Sequence, residues 1–494
     1  MSTAHDPPAV DGRAAPPAPG KRDARWLALA VLAGSHLLIV LDATIVNVAL
    51  NSVRDDLGFA HADLQWVVTA YTLTFGGFLL LGGRLADRLG RRRMFVWGAV
   101  VFALGSFLAG LAESQHLLIL GRILQGLAGA VLSPAALSLL LAVFTEQRAR
   151  DRALGVWAVV SAGGNALGLV LGGVLTQMLS WEWIFWISVP VALCAALCGR
   201  FVLPERVDAQ VRQFDIAGAI LGTVGLGALM YTLVSAPETG WTSPGTWLVL
   251  LVATGLLAVF AHLQRTRSNA LLPLRVLRDR SVLGADLVGL LFGAAVYALF
   301  YFLSVFMGEV LGYTPVEIGL AILPITAAIT VAAWCADKLV RRVPPQVMIM
   351  TGTSLAAVGL VSLTRIAPGS GYADTLLPGL VCVGLGMGTA FVALTSAAVG
   401  EVAEEDSGVA SGLFNAGQQI GGAIGLAVLT AVSTARTQRL ADESGTVTPG
   451  DVTGGWSLGF LVAAGMMLLG TAVTALTIRE GKRAASKTAP EATG

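Results

Sequence analysis

Apolar stretches of roughly 18–27 residues recur along almost the whole chain, each followed by a short polar interruption. They fall at about 26–50, 64–82, 94–112, 117–143, 153–177, 183–203, 215–235, 246–263, 281–305, 317–336, 346–364, 376–400, 408–433 and 456–478. A helix rising about 1.5 Å per residue crosses roughly 30 Å of hydrocarbon in about 20 residues, so each stretch reads as one transmembrane helix. Inside a bilayer the backbone must satisfy its own hydrogen bonds, which a helix does and an open strand does not. The pattern predicts an all-α integral membrane protein with fourteen spans.

An even number of spans puts both termini on one side, and Lys and Arg indicate which. Of the 32 Lys and Arg, only Arg54, Arg365, Arg436 and Arg439 fall on the face opposite the termini, and Arg122 lies inside a span. Both termini are therefore expected in the cytoplasm. Residues 1–25, rich in Pro, Ala and charge, read as a disordered cytoplasmic tail, and 479–494 as a cytoplasmic tail. The apolar run after the first tail is too long for a cleavable signal peptide. One cytoplasmic loop breaks the charge pattern: Glu401, Glu404, Glu405 and Asp406 stand between spans 12 and 13 with no basic residue beside them.

Polar residues inside the spans need a physical reason. Asp42 sits in Leu41-Asp42-Ala43-Thr44-Ile45-Val46-Asn47, and a charge at the centre of a membrane helix costs about 2.5–3.5 kcal/mol on insertion scales. Arg122 is the matching anomaly. By helical rise Asp42 lies about 12 Å and Arg122 about 8 Å from the external ends of their spans, so the two share a depth. A mutual ion pair offsets part of each desolvation penalty, and a proton on Asp42 releases Arg122. The residues leave two readings open, a structural pair and a proton-coupling pair. Asp286, about five residues inside its span, reads either as a side chain snorkelling to the interface or as a candidate second proton site. Asn47 and Gln125, near the Asp42 and Arg122 stripes, are candidate cavity residues with Tyr71, Asn415 and Gln418; His36, Asn165 and Gln419 fit hydrogen bonding between helices.

Composition excludes a separate soluble domain. Charged residues make up 13% of the 494 positions and hydrophobic ones 55%, against about 25% charged in a soluble protein. Cys194, Cys198, Cys335 and Cys382 all fall in apolar spans without metal or disulfide spacing and are expected to be small core residues. The phosphate-binding pattern Gly-x-x-x-x-Gly-Lys-Ser/Thr is absent, which argues against an ATP-driven pump.

After the second span the chain reads Gly83-Arg84-Leu85-Ala86-Asp87-Arg88-Leu89-Gly90-Arg91-Arg92-Arg93. A merely topogenic basic loop explains the arginines but not the Gly-x-x-x-Asp-x-x-Gly frame. This stretch resembles the signature loop of the major facilitator superfamily, and LDATIVNVAL around Asp42 resembles the first-helix motif of its fourteen-spanner drug:proton antiporters. Leu120-Gly121-Arg122-Ile123-Leu124-Gln125-Gly126 is similar to the motif whose arginine serves proton coupling in that family. Gly155, Gly164, Gly168, Gly172 and Gly173 match the spacing of the antiporter glycine motif, and GVASGLFNAGQQIGGAIGLA around span 13 also resembles this subfamily. Three departures stand out: Leu169 and Asn51 occupy places where the family has proline, and Glu182 stands between two tryptophans where arginine is usual.

The resemblance implies a major facilitator fold of two six-helix halves, 26–203 and 281–478, with two additional helices in 204–280. It implies Asp42 and Arg122 as the coupling pair, and Gly83, Asp87, Arg88, Gly90, Arg91 and Arg92 as a gating loop. The acidic residues Glu401, Glu404, Glu405 and Asp406 are then placed to latch onto that basic loop. The expected activity is proton-coupled export of amphipathic or hydrophobic compounds such as antibiotics, by alternating access in a bacterial inner membrane. A proton-coupled nutrient importer on the same fold and a non-transporting receptor are the rival readings. The expected partners are protons, a small substrate and the bilayer; no enzyme activity, cofactor, metal or nucleic acid is expected, and a monomer is.

Overall fold

A computed structural model of the protein describes residues 19–205, 215–240, 242–267, 279–340, 342–399, 407–444 and 446–478. Among these residues the fold is all-helical. In chain order the helices are α1 (Pro19–Leu57), α2 (His61–Leu64), α3 (Trp66–Leu89), α4 (Arg91–Gly110), α5 (Gln115–Val143), α6 (Gln147–Met178), α7 (Trp183–Trp186) and α8 (Ser188–Val202). Then follow α9 (Ile216–Thr239), α10 (Pro244–Thr266), α11 (Arg280–Glu309), α12 (Pro315–Leu339), α13 (Pro345–Leu363), α14 (Leu377–Val399, entered through a π-turn at Tyr372–Leu376), α15 (Ser407–Ser444) and α16 (Pro449–Thr477). Eleven helices among the described residues are long and apolar enough to cross a membrane.

The helix starts are written in the sequence. Thr314 and Glu317 form a reciprocal capping box ahead of α12, and Thr448 and Asp451 do so ahead of α16; each satisfies backbone donors that have no partner in the first turn. Proline stands in the first turn of both helices, where its missing N–H is no loss. Asp279 caps α11 and Asp215 caps α9 by accepting from Ser281 N at 2.7 Å and Gly218 N at 2.8 Å.

Three expectations are corrected. The tail does not run to residue 25, because α1 already begins at Pro19; the residues from Lys21 to Arg25 propagate a helix whose nucleus the apolar span supplies. The helix containing span 13 continues past 433 to Ser444, with Thr437 bonding the Asp451 carbonyl near the start of α16 at 3.3 Å. Cys194, Cys198 and Cys335 are exposed rather than core, since the outer faces of a bundle suited to lipid are as apolar as its centre. The acidic residues Glu401, Glu404, Glu405 and Asp406 lie outside the described residues, as do 1–18 and 479–494.

Packing puts the ends in register. Thr477 at the end of α16 meets Gly284 near the start of α11, and Arg54 near the end of α1 pairs with Glu309 at the end of α11. The start of α1 and the end of α16 therefore share one end of the bundle. An apolar cluster runs from Leu32, Tyr71, Phe95 and Phe102 to Leu139 through α1–α8 and takes in Ala416 of α15. A larger one joins Ile45, Leu50 and Val67 to Leu299, Phe306, Ile322 and Leu360, and so crosses from α1–α8 to α11–α16. The helix α9 packs on α3 and α15, and α10 chiefly on α9. The clasp between them is polar: Asp215 is buried and accepts from Gln264 at 2.6 Å and Arg267 at 2.7 Å.

Candidate functional site

The site is built where α1, α3, α4 and α5 come closest, and glycines permit the approach. A Cβ on Gly105 of α4 would lie 2.9 Å from the Gln125 nitrogen and 3.0 Å from the Gly121 carbonyl of α5. One on Gly126 would lie 2.5 Å from the Tyr71 carbonyl of α3 and would overlap the Thr74 hydroxyl. Only the absence of side chains lets these backbones meet.

At that crossing Asp42 and Arg122 are both fully buried. Arg122 donates through one terminal nitrogen to Asp42 Oδ2 at 2.6 Å and to Gln125 Oε1 at 2.9 Å, and through Nε to the Val67 carbonyl at 2.9 Å. Gln125 Nε2 donates to Asp42 Oδ1 at 2.8 Å and to Ser106 Oγ at 2.9 Å. The guanidinium carbon lies 4.5 Å from the centre of the Tyr71 ring and 5.9 Å from that of Phe185, so two π faces add to the stabilisation of the cation. Both oxygens of the acid thus accept a hydrogen bond from a different residue of α5. Breaking such a buried pair from one side costs about 3–5 kcal/mol, because it strands a charge. A proton delivered to Asp42 has the same electrostatic consequence without a mutation: the carboxylate charge disappears and the Arg122 fork loses its counterion.

The other expected residues divide. Gln125 and Tyr71 are buried in this network. The Asn47 amide donates to the Ala43 and Thr44 carbonyls of its own helix at 3.2 and 3.3 Å, Asn415 is exposed, and Gln418 is half-buried with its carbonyl against Gly293. Tyr301 lines a cavity of about 200 Å³ with Ser433, Thr437 and Trp456, near the end of α11. Of the glycine motif, Gly164, Gly168 and Gly172 face α1 at Leu37 and Val40, Thr44, and Ile45, while Gly173 faces Pro315 and Val316 of α12. Gly155 meets nothing within 4 Å. Leu169 leaves α6 unbroken, with its carbonyl 2.5 Å from where a Cβ on Gly319 would sit.

In the basic loop Gly90 adopts φ +103°, a conformation that favours glycine, between α3 and α4, whereas a Cβ on Gly83 would meet Pro134 only at ordinary contact distance. Asp87 and Arg88 close α3 and Arg91 opens α4. Arg92 and Arg93 reach Glu205 beyond α8, at 3.2 and 3.8 Å. Sequence reasoning missed Ser106, Phe185 and the Val67 carbonyl. Ser106 carried a signal as a polar residue in a span; a backbone carbonyl carries none.

A model of the Major Facilitator Superfamily matches residues 32–426. The puromycin resistance protein pur8 of Streptomyces alboniger is 40% identical over 468 residues, covering 94% of this chain and 93% of that one. The cephamycin export protein CmcT of Amycolatopsis lactamdurans is 38% identical, covering 82% and 84%. In fold, the chain is similar to a bacterial homologue of the lysosomal transporter Spinster in its inward-facing, unoccupied form, with a TM-score of 0.67 at 15% identity over 92% and 97% of the chains. The chain belongs to the Major Facilitator Superfamily, within its drug-efflux type.

Proposed function

We propose that this member of the superfamily is a proton-coupled exporter of amphipathic or hydrophobic compounds, antibiotics among them, working by alternating access in a bacterial cytoplasmic membrane. The observation that carries the reading is the buried Asp42 and Arg122 pair, joined at 2.6 Å and closed off from water. A charge pair so placed in a membrane helix is expensive and has a use if a proton can cancel one of its charges. Protonation of Asp42 frees Arg122 to keep only the Val67 and Gln125 oxygens, which loosens α1 from α5. Antibiotic names on relatives matched over most of their length support the substrate class.

Fourteen spans remain the best architecture. Beside the eleven long apolar helices, α3 and α9 carry the apolar runs Trp66–Leu79 and Ile220–Leu229, and α6 is a 32-residue helix packed between α1 and α12. We read α1–α8 and α11–α16 as the two six-helix halves of 26–203 and 281–478, with α9 and α10 inserted in 204–280. The termini are cytoplasmic by the distribution of Lys and Arg, and the chain acts as a monomer. The end where Arg54 pairs with Glu309, and where α6 meets α12 at Gly173 and Gly319, is then the external one. Contacts between the halves at that end support an inward-facing state. On the other side, the basic loop and the acidic segment 401–406 form a latch in the opposite state.

Everted vesicles energised with a proton gradient test the reading. Wild-type protein should drive uptake of a puromycin-like compound that an uncoupler abolishes, and Asp42→Asn should remove the gradient-driven component while leaving the amount of protein in the membrane unchanged. Undiminished gradient-driven uptake by Asp42→Asn would overturn the coupling role.

A further inference from the structure

The cavity near the end of α11 has two kinds of wall. Tyr301 and Phe302 of α11 and Trp456 of α16 supply rings, while Thr430, Ser433 and Thr437 of α15 supply hydroxyls. All three rings are buried, and among the described residues no charged side chain lines the cavity. Val447, exposed in the turn from α15 into α16, stands at its rim. The walls come from one group of helices and share no residue with the Asp42 and Arg122 network.

The hydroxyls follow one another at i, i+3 and i+7, which places them on one face of α15. Two of them have spent their hydrogen. Ser433 donates to the Gly455 carbonyl of α16 at 2.7 Å, and Thr437 to the Ser433 and Asp451 carbonyls at 3.1 and 3.3 Å. A hydroxyl carries one hydrogen and two lone pairs, so towards the cavity Ser433 and Thr437 act as acceptors. Thr430 differs from both. Its hydroxyl oxygen is buried and has no hydrogen-bond partner among the described residues, a costly condition that a ligand with an acceptor oxygen would relieve.

The rings are set edge-on. Tyr301 and Phe302 meet at 5.9 Å and 63°, and Trp456 stands 6.0 Å from Phe306 at 88°, an arrangement into which a further ring packs well. Close helix crossings hold this frame in place: a Cβ on Gly459 would lie 2.6 Å from the Phe302 ring, and one on Gly455 2.5 Å from the Ser433 carbonyl. An apolar cavity of about 150 Å³ takes up benzene. At about 200 Å³, this one admits a single ring with a small polar substituent.

We propose that the cavity is a binding site for a neutral one-ring phenol, separate from the export path. The ring packs against Tyr301, Phe302 and Trp456, and the phenol hydroxyl accepts from Thr430 while it donates to Ser433 or Thr437. That one group answers both the uncommitted donor and the waiting acceptors. An ion does not fit the same walls, because it would shed its water without meeting a counter-charge. The site goes beyond the export reading and does not depend on it.

Full-length protein in lipid nanodiscs tests this with para-fluorophenol and with para-fluorotoluene, the same ring without the hydroxyl, each followed by fluorine NMR against empty nanodiscs of the same lipid. Para-fluorophenol should bind saturably. Thr430→Val keeps the shape and removes the hydroxyl, so it should weaken para-fluorophenol about 2- to 10-fold, the range of one neutral hydrogen bond, and leave para-fluorotoluene as tight or tighter. Val452→Phe, on the α16 wall, should fill the cavity and weaken both ligands about tenfold or more. Puromycin in excess should not displace para-fluorophenol. The proposal is overturned if para-fluorophenol shows no saturable binding beyond that of the lipid, if Thr430→Val weakens both ligands alike or neither, if a folded Val452→Phe binds as wild type does, or if puromycin displaces the phenol and so puts it in the export path. Should Val452→Phe not fold, the comparison of the two ligands on Thr430→Val decides. Gradient-driven uptake is read separately in vesicles, and its absence would count against export while leaving the phenol site standing.

Discussion

Asn51 on α1 donates its side-chain amide to the backbone carbonyl of Ser304 on α11, 3.1 Å away and 253 residues on in the chain. The Asn51 amide packs against Gly308, where an added Cβ would collide with it. One turn further along, Arg54 pairs with Glu309. A residue that departs from the family's usual proline is thus a hydrogen-bond donor across the two groups of helices, a role that proline, lacking any side-chain donor, does not fill.

Asn51→Ala should loosen this end. A neutral hydrogen bond contributes about 0.5–1.5 kcal/mol, so the population open on that side should rise about 2- to 10-fold. In a background with the four native cysteines replaced, a cysteine at position 304 should react correspondingly faster with an impermeant thiol reagent from outside. An unchanged rate would mean the bond does not hold the closure.

Arg122→Lys tests the fork. Arginine uses separate nitrogens for the Val67 carbonyl on α3 and for Asp42 and Gln125, and a lysine ammonium does not span that geometry. Loss of one charged hydrogen bond, about 1.5–3 kcal/mol, should lower gradient-driven efflux about 10- to 100-fold while the charge and the fold remain. Efflux per folded molecule in vesicles is the measurement.

The glycine motif should split under alanine substitution. A Cβ on Gly172 would lie 2.7 Å from the Ile45 carbonyl, so Gly172→Ala should destabilise the contact of α6 with α1 by about 1–3 kcal/mol. Gly155 faces open space, and Gly155→Ala in mid-helix should be neutral or stabilising by about 0.4–1 kcal/mol. The thermal unfolding midpoint of the purified protein should fall for Gly172→Ala and stay or rise for Gly155→Ala.

Asp215→Ala should unfasten α10. It removes the acceptor for Gly218 N, Gln264 and Arg267 at once, and each hydrogen bond lost costs about 0.5–1.5 kcal/mol. The thermal midpoint should fall, and efflux per folded molecule should stay near the wild-type level, because the clasp lies apart from the Asp42 and Arg122 pair.

Much was legible in the chain because the bilayer imposes a local rule. Apolar run length gives a span wherever it occurs, and Thr314, Pro315 and Glu317 announce the start of α12 with no knowledge of the rest of the chain. Asp42 and Arg122 were visible as anomalies for the same reason, and their shared depth followed from helical rise alone. The sequence by itself thus determined the helices, their charge asymmetry and the two residues that had to find each other. Only the tertiary structure decided who completes that pair and who is left alone. Ser106 and the Val67 carbonyl join it because α3, α4 and α5 cross at glycines, and Asn51 finds Ser304 because α1 and α11 meet at their ends. Asp286 finds no hydrogen-bond partner among the described residues, because the face of α15 packed on its side of α11 is built of glycine and apolar residues at that point. Each outcome depends on the rotation and crossing of helices distant in the chain, which residue order does not encode locally.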